Sequence, residues 1–224
     1  MLDMQKIGTS LKLGRTLGRT LLAAASCLLA TSVLSAKDSR PNIVLIIGDD
    51  IGFADIGCFG GEIETPNLDR LGHNGIRFAQ GYNMAKCNPT RSAMLTGTFI
   101  GGPQSQSMGE LMGRAGYTTL YVGKEHFDNW IPRDRLRAMN SFDYSLCHYA
   151  GAGNFFSHDP ITYFHNERKL ELEEVASNTS KPYYKTNAYT DYALKFLDET
   201  KDDGKPFFLY MAYEAAHYPL QALK

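Results

Sequence analysis

The sequence has no Cys-x-x-Cys pair: Cys27, Cys58, Cys87 and Cys147 are scattered along its 224 residues. That spacing excludes the short-range thiol pairs of zinc ribbons and of thioredoxin-like redox motifs. A dominant charge is missing too, since 23 Lys+Arg against 24 Asp+Glu give a formal net charge of −1, without the basic excess of a nucleic-acid-binding surface. No internal repeat or low-complexity tract is present, which removes solenoids and arrays from consideration. The apolar stretch from Leu21 to Leu34 is shorter than the roughly 20 residues that a bilayer-spanning helix requires.

That stretch reads instead as a secretory leader. Lys6, Lys12, Arg15 and Arg19 precede it and the small residues Ser35 and Ala36 follow it, the order of a signal peptide. Cys27 follows "AAAS", without the large aliphatic residue of a lipid-attachment site, so no stable membrane anchor is expected. Setting residues 1–36 aside leaves 37–224 with a formal charge of −4, one domain or part of a larger one. The expected location is secreted or periplasmic. Three cysteines remain there, an odd number in an oxidising compartment; Cys58 and Cys147 are a candidate pair, and Cys87 is the chemically special one.

Strand and helix signals alternate along the chain. "NIVLIIG" (42–48) is a continuous β-branched and aliphatic run, followed at once by Asp49 and Asp50. "TPNLDRLGHNG" offers Thr65 as N-cap, Pro66 at the first helical position, Leu68 and Leu71 on one face, and Gly75 as the stop. A second helix is predicted after Cys87, with Pro89 in its first turn and Gly97 ending it in the left-handed conformation. Ser107 and Glu110 form a capping-box pattern. "YTTLYVG" (117–123) reads as a strand leading to Lys124 and His126, and "FFLYMAY" (207–213) as another leading to His217. Between them, Tyr189, Tyr192, Ala193, Phe196 and Leu197 recur at helical spacing. From Phe127 to Lys185 the pattern is irregular, with a hairpin expected around "YFHNERKLEL" and aromatics (Trp130, Tyr144, Tyr149, Phe155, Phe156) that suit either a core or stacking on a sugar or aryl ring. The pattern as a whole implies an α/β fold, a mostly parallel sheet flanked by helices. Asp49, Asp50, Lys124, His126 and His217 all fall at predicted strand carboxyl ends, where ligands gather in such sheets.

Adjacent acids at a strand end serve equally as a solvated turn or as ligands for a hard cation. Lys124 and His126 are two residues apart, so in an extended segment both side chains project to one side. His73, His148, His158 and His165 are assigned to surface or core. The segment "KCNPTRSAMLTG" (86–97) places Cys87 where a helix N-terminus offers free N–H groups to an anion, with Arg91 one turn on. Cysteine-dependent phosphatases separate their cysteine and arginine by five residues; here three intervene and one is proline.

Cys87-Asn88-Pro89-Thr90-Arg91 followed by "LTG" resembles the Cys-x-Pro-x-Arg signature of the type I sulfatases in the alkaline phosphatase superfamily. "RPNIVLIIGDDIGFADIGCFGG", "TPNLDRLGHNGIRF", "AGYTTLYVGKEHF" and "FFLYMAYEAAHYPLQA" resemble further blocks of that family in order. The resemblance implies an alkaline phosphatase/sulfatase-like fold and conversion of Cys87 to formylglycine by a maturase that reads Pro89 and Arg91. It also implies one calcium ion on Asp49, Asp50 and residue 87. Arg91 would steady the nucleophile, Lys124 would bind sulfate, His126 would assist the diol, and His217 would act as general acid. The family commonly has Gly-Lys-Trp-His where this chain has Glu125 in place of tryptophan.

Sulfatases of this type run to roughly twice this length, so the chain is expected to be the N-terminal half of one, truncated after "HYPLQA", with strands such as 207–213 left exposed. The expected reaction is hydrolysis of organic sulfate esters, carbohydrate sulfates among them. The alternatives are a phosphonate or phosphate monoester hydrolase of the same superfamily and an inactive remnant.

Overall fold

The computed structural model describes residues 38–99, 105–127, 138–157, 162–166 and 168–224. The expected leader, Trp130 and His158 lie outside them. Six strands, β1 (Ile43–Ile47), β2 (Thr118–Lys124), β3 (Tyr144–His148), β4 (Tyr163–His165), β5 (Arg168–Leu170) and β6 (Phe207–Ala212), form one sheet in the order β1-β6-β2-β3-β4-β5. The pairs β1/β6, β6/β2 and β2/β3 are parallel. The β3/β4 and β4/β5 pairs are antiparallel, and β4 with β5 makes the expected hairpin. The fold is therefore a mixed α/β sheet whose parallel part carries the chemistry-bearing strand ends.

The helices are α1 (Pro66–Asn74), α2 (Cys87–Thr96), α3 (Met108–Arg114), α4 (Ala138–Ser141), α5 (Leu172–Ser177) and α6 (Lys185–Thr200). Pro66 opens α1, and Gly97 closes α2 at φ 68°. The capping box forms as anticipated, with Glu110 N–H donating to Ser107 Oγ and Ser107 N–H to Glu110 Oε2, both at 3.0 Å. Alternation along the central strands then builds two cores. Leu120, Val122, Leu209 and Met211 face Tyr189, Tyr192 and Phe196 of α6, while Tyr121, Phe208 and Tyr210 face Leu95 of α2, with Met108 and Met112 of α3 beside them. Tyr121 and Tyr210 stack with ring centroids 5.0 Å apart.

Three expectations are corrected. Strand β6 is not the exposed strand, because pairing with β1 and β2 encloses it. It is β1 that shows an apolar face, with Val44 and Ile46 51% and 54% exposed. The leucine stripe of α1 buries nothing: Leu68 and Leu71 are both exposed. Cys58 and Cys147 are not joined in a disulfide, the first lying in a short turn (Gly57–Phe59) and the second sealed within β3. Among the described residues no helix is long and apolar enough to cross a membrane.

β3 was hidden in the stretch that reads as irregular, and it ends on a fully buried histidine. His148 is stacked with Tyr189 and edge-on to Tyr163. Burial pushes its pKa down to about 4, against the opposing pull of Glu214. A base whose folded pKa lies below its unfolded one destabilises the fold as pH drops between the two values, because the unfolded chain takes up the proton first. Conformational stability is therefore expected to fall by about 2 kcal/mol between pH 6.5 and pH 5 from this group. Urea unfolding at the two pH values should show the fall, and His148→Phe should reduce it. An equal fall in both proteins would remove the role given to His148.

Candidate active site

The site is assembled by the carboxyl ends of β1, β2 and β6 and the first turn of α2. The chain after β6 crosses back to β1, where Asp49 N–H donates to Ala215 O and Tyr213 N–H to Ile47 O, each at 3.0 Å. Arg91, one turn into α2 and 2% exposed, ties these ends together. It donates to the carbonyls of Lys124 and Tyr213, both at 2.8 Å, and lies 3.3 Å from Asp49 Oδ2. Lys124 is fully buried with Nζ 2.5 Å from the same oxygen. One carboxylate thus meets two fixed cations beneath the site, an arrangement that holds net positive charge near the α2 N-terminus.

Cys87 is the first residue of α2, with its Sγ 3.3 Å from Nδ1 of His126. His126 does not continue the strand as an extended residue: its φ is 44°. It therefore reaches Cys87 by a left-handed turn, while Lys124 points to Asp49. Asp50 and Ala85 also sit in the left-handed region, at φ 57° and 60°. Such non-glycine conformations cost on the order of 1–3 kcal/mol each and cluster at functional sites. All three line one pocket of about 480 Å³ with Lys86, Cys87, Asn88 and Pro89. Burial, then the charges of Lys124 and Arg91, hold the His126 pKa below its ordinary value, so the ring is neutral at neutral pH.

His217 stands on the rim, with Nε2 3.8 Å from Asp50 Oδ2 and Nδ1 2.6 Å from Tyr218 O. A carbonyl only accepts, so Nδ1 carries the proton and Nε2 faces the acid. Every expected site residue is thus near the α2 N-terminus, in three groups: Asp49 with Lys124 and Arg91, Cys87 with His126, and Asp50 with His217. Asn88 was missed. Its Oδ1 is buried without a hydrogen-bond partner in the pocket lining, and the x of Cys-x-Pro-x-Arg gave no signal for it.

A divalent cation is implied by the resemblance. Asp49, Asp50 and Asn88 offer oxygens of the kind a hard cation takes, but calcium needs six to eight, and Asp49 is engaged by Lys124 and Arg91. Among the described residues no three His, Cys, Asp or Glu side chains gather as a metal-binding group. By themselves they do not fit a complete calcium site.

A cysteine at a helix N-terminus, with fixed cations behind it and parallel strand ends below, marks the candidate site of an α/β protein. Residues 41–224 match the family model described as Sulfatase, and the chain belongs to the sulfatase family. It is 30% identical to an arylsulfatase of Klebsiella aerogenes, over 91% of this chain and 49% of that protein. With arylsulfatase J of Mus musculus it shares 31% identity, over 84% of this chain and 34% of the relative. The crystal structure of Ps i-CgsB in complex with k-i-k-neocarrahexaose superposes with a TM-score of 0.69 at 27% identity, covering 83% of this chain and 47% of that one. The chain thus spans less than half the length of these relatives.

Proposed function

We propose that this active end hydrolyses organic sulfate esters through residue 87, converted from cysteine to formylglycine by a maturase. The carrying observation is the placement of Cys87 Sγ at the α2 N-terminus, 3.3 Å from the neutral ring of His126. In the hydrated aldehyde, one hydroxyl of residue 87 attacks sulfur, the S–O bond to the alcohol breaks, and the alcohol leaves with a proton. The second hydroxyl then loses its proton to a base, the carbonyl re-forms, and the bond from carbon to the sulfated oxygen breaks to release sulfate. Water rehydrates the aldehyde.

His126 is the base within reach of residue 87. Arg91 and Lys124 supply the positive field for the oxyanions. His217, when protonated, presents Nε2–H as the donor to the leaving alcohol. A calcium ion held in part by Asp49, Asp50 and residue 87 would supply Lewis-acid polarisation. Sulfated carbohydrates are the proposed substrate class, supported by the complex that Ps i-CgsB forms with k-i-k-neocarrahexaose. The N-terminal leader supports secretion or a periplasmic location.

Co-expression with a formylglycine-generating maturase is expected to convert Cys87, seen by mass spectrometry in the tryptic peptide from Cys87 to Arg91. The matured protein is expected to cleave an aryl sulfate faster than the phosphonate ester of the same phenol. An unmodified thiol in active protein would overturn the mechanism, and the opposite ester preference would move the chain to the phosphonate hydrolases. Full conversion without turnover of either ester would make it a remnant.

A further inference from the structure

A second group of ionisable side chains lies behind the site, and the proposed reaction does not use it. Glu214, Lys185 and His148 are all fully buried. Lys185 Nζ donates to Glu214 Oε2 at 2.7 Å, and His148 Nε2 approaches the same oxygen to 3.2 Å, out of line for a hydrogen bond. The pair also grips one residue from both sides: Gly153 N–H donates to Glu214 Oε1 at 2.9 Å, and Gly153 O accepts from Lys185 Nζ at 3.2 Å. Around that grip, Phe155 O accepts from Lys185 N–H at 2.8 Å, Phe155 N–H donates to Gln221 Oε1 at 2.9 Å, and Lys185 Nζ sits 4.8 Å from the centroid of the Phe155 ring.

The gripped segment is the "YAGAGNFF" loop (149–156) that leaves β3, and it touches the site at one point. A Cβ placed on Gly151 would lie 2.7 Å from Nε2 of His126. The loop backbone therefore packs directly against the ring at its Nε2–Cε1 side, and with the ring so placed only glycine fits there. His126 is otherwise held through a left-handed turn at φ 44°, a conformation that persists only where its surroundings impose it. Resting on the proposed function, we infer that Lys185 and Glu214 are positioning residues for His126: by clamping Gly153 they press the 149–156 loop against the ring and keep Nδ1 on residue 87. A carboxylate–ammonium pair suits this task because it serves both the backbone donor and the backbone acceptor of one residue in a dry interior.

The ring itself reports the result. The His126 imidazole nitrogens are assigned by nuclear magnetic resonance in the unmatured 224-residue chain, in Cys87→Ala, in Glu214→Gln, in Lys185→Met and in the double variant Lys185→Met/Glu214→Met. Amide hydrogen exchange is followed at Gly151 and Gly153. Lys185→Met is expected to speed exchange at both glycines at least tenfold and to move the His126 Nδ1 signal toward its position in Cys87→Ala. Glu214→Gln, which keeps an acceptor for Gly153 N–H, should move it less. The double variant leaves no unpaired buried charge and reads the clamp if a single variant fails to fold. Where the matured chain turns over an aryl sulfate, kcat should fall about tenfold in Lys185→Met with KM within twofold. An unmoved His126 signal in folded Lys185→Met or in the double variant would overturn the inference whether or not any turnover exists. Absence of turnover in the matured parent would instead count against the proposed function alone.

Discussion

Cys87→Ser, carried by an otherwise maturable chain, is expected to keep the parent's melting transition and to lose multiple turnover by at least about three orders of magnitude, as for removal of a nucleophile. The side chain at 87 is partly buried, and its polar contact in the structure is with His126 Nδ1. A serine hydroxyl can make that contact without disturbing the helix, because serine differs from cysteine only in replacing sulfur by the smaller oxygen. Serine can also be sulfated, since one hydroxyl beside a neutral imidazole suffices for attack. Release is the step it cannot perform: without a geminal hydroxyl there is no oxygen from which a carbonyl can re-form and expel sulfate. Rapid mixing with an aryl sulfate should show at most one phenol per protein molecule, followed by arrest, and a mass increase on the peptide containing residue 87. Steady turnover beyond one equivalent would refute the role given to the second hydroxyl.

Strands β1, β2 and β6 were legible because each is a largely apolar run, although β1 leaves Val44 and Ile46 exposed, and each run is followed by polar residues that the sheet brings to one edge. Asp49, Lys124 and His217 were found in that way. Between Phe127 and Lys185 the β4–β5 hairpin was legible and β3 was not, for a physical reason: β3 is "YSLCH" (144–148), whose serine and histidine are polar on paper yet buried by neighbours distant in sequence.

The arrangement of the site was less readable than its membership. Alternation along an extended chain put Lys124 and His126 on one side, and the left-handed turn at His126 sends them to different partners instead. Arg91 was expected to steady the nucleophile, and its donations to the carbonyls of Lys124 and Tyr213 were not foreseen. Such contacts depend on which strand ends lie side by side, here β6 between β1 and β2, and no local pattern encodes that order. The Lys185–Glu214 pair was invisible for the same reason. Lys185 reads as an ordinary helix start and Glu214 as one more loop acid.

That pair carries the largest expected effect on stability. Lys185→Met is expected to cost about 3–5 kcal/mol at pH 7, because it strands a carboxylate in the interior, whereas Lys185→Met/Glu214→Met should lie much closer to the parent. The pH dependence separates this account from a simple packing defect. In the parent, burial alone would raise the Glu214 pKa, yet His148 and Lys185 together hold it down at about 2. Its contribution is therefore present above the unfolded carboxylate pKa and is lost as pH falls through about 2. Without Lys185 the balance reverses. Burial then favours a protonated Glu214, or a proton on His148 to pair with it, so the folded state binds more protons than the unfolded chain at mildly acidic pH. The deficit of Lys185→Met relative to the parent should accordingly shrink between pH 7 and pH 5, while that of the double variant stays nearly constant. Urea unfolding of the three proteins at both pH values tests this, and a deficit in Lys185→Met that is independent of pH would show that Glu214 is not left as an unpaired charge.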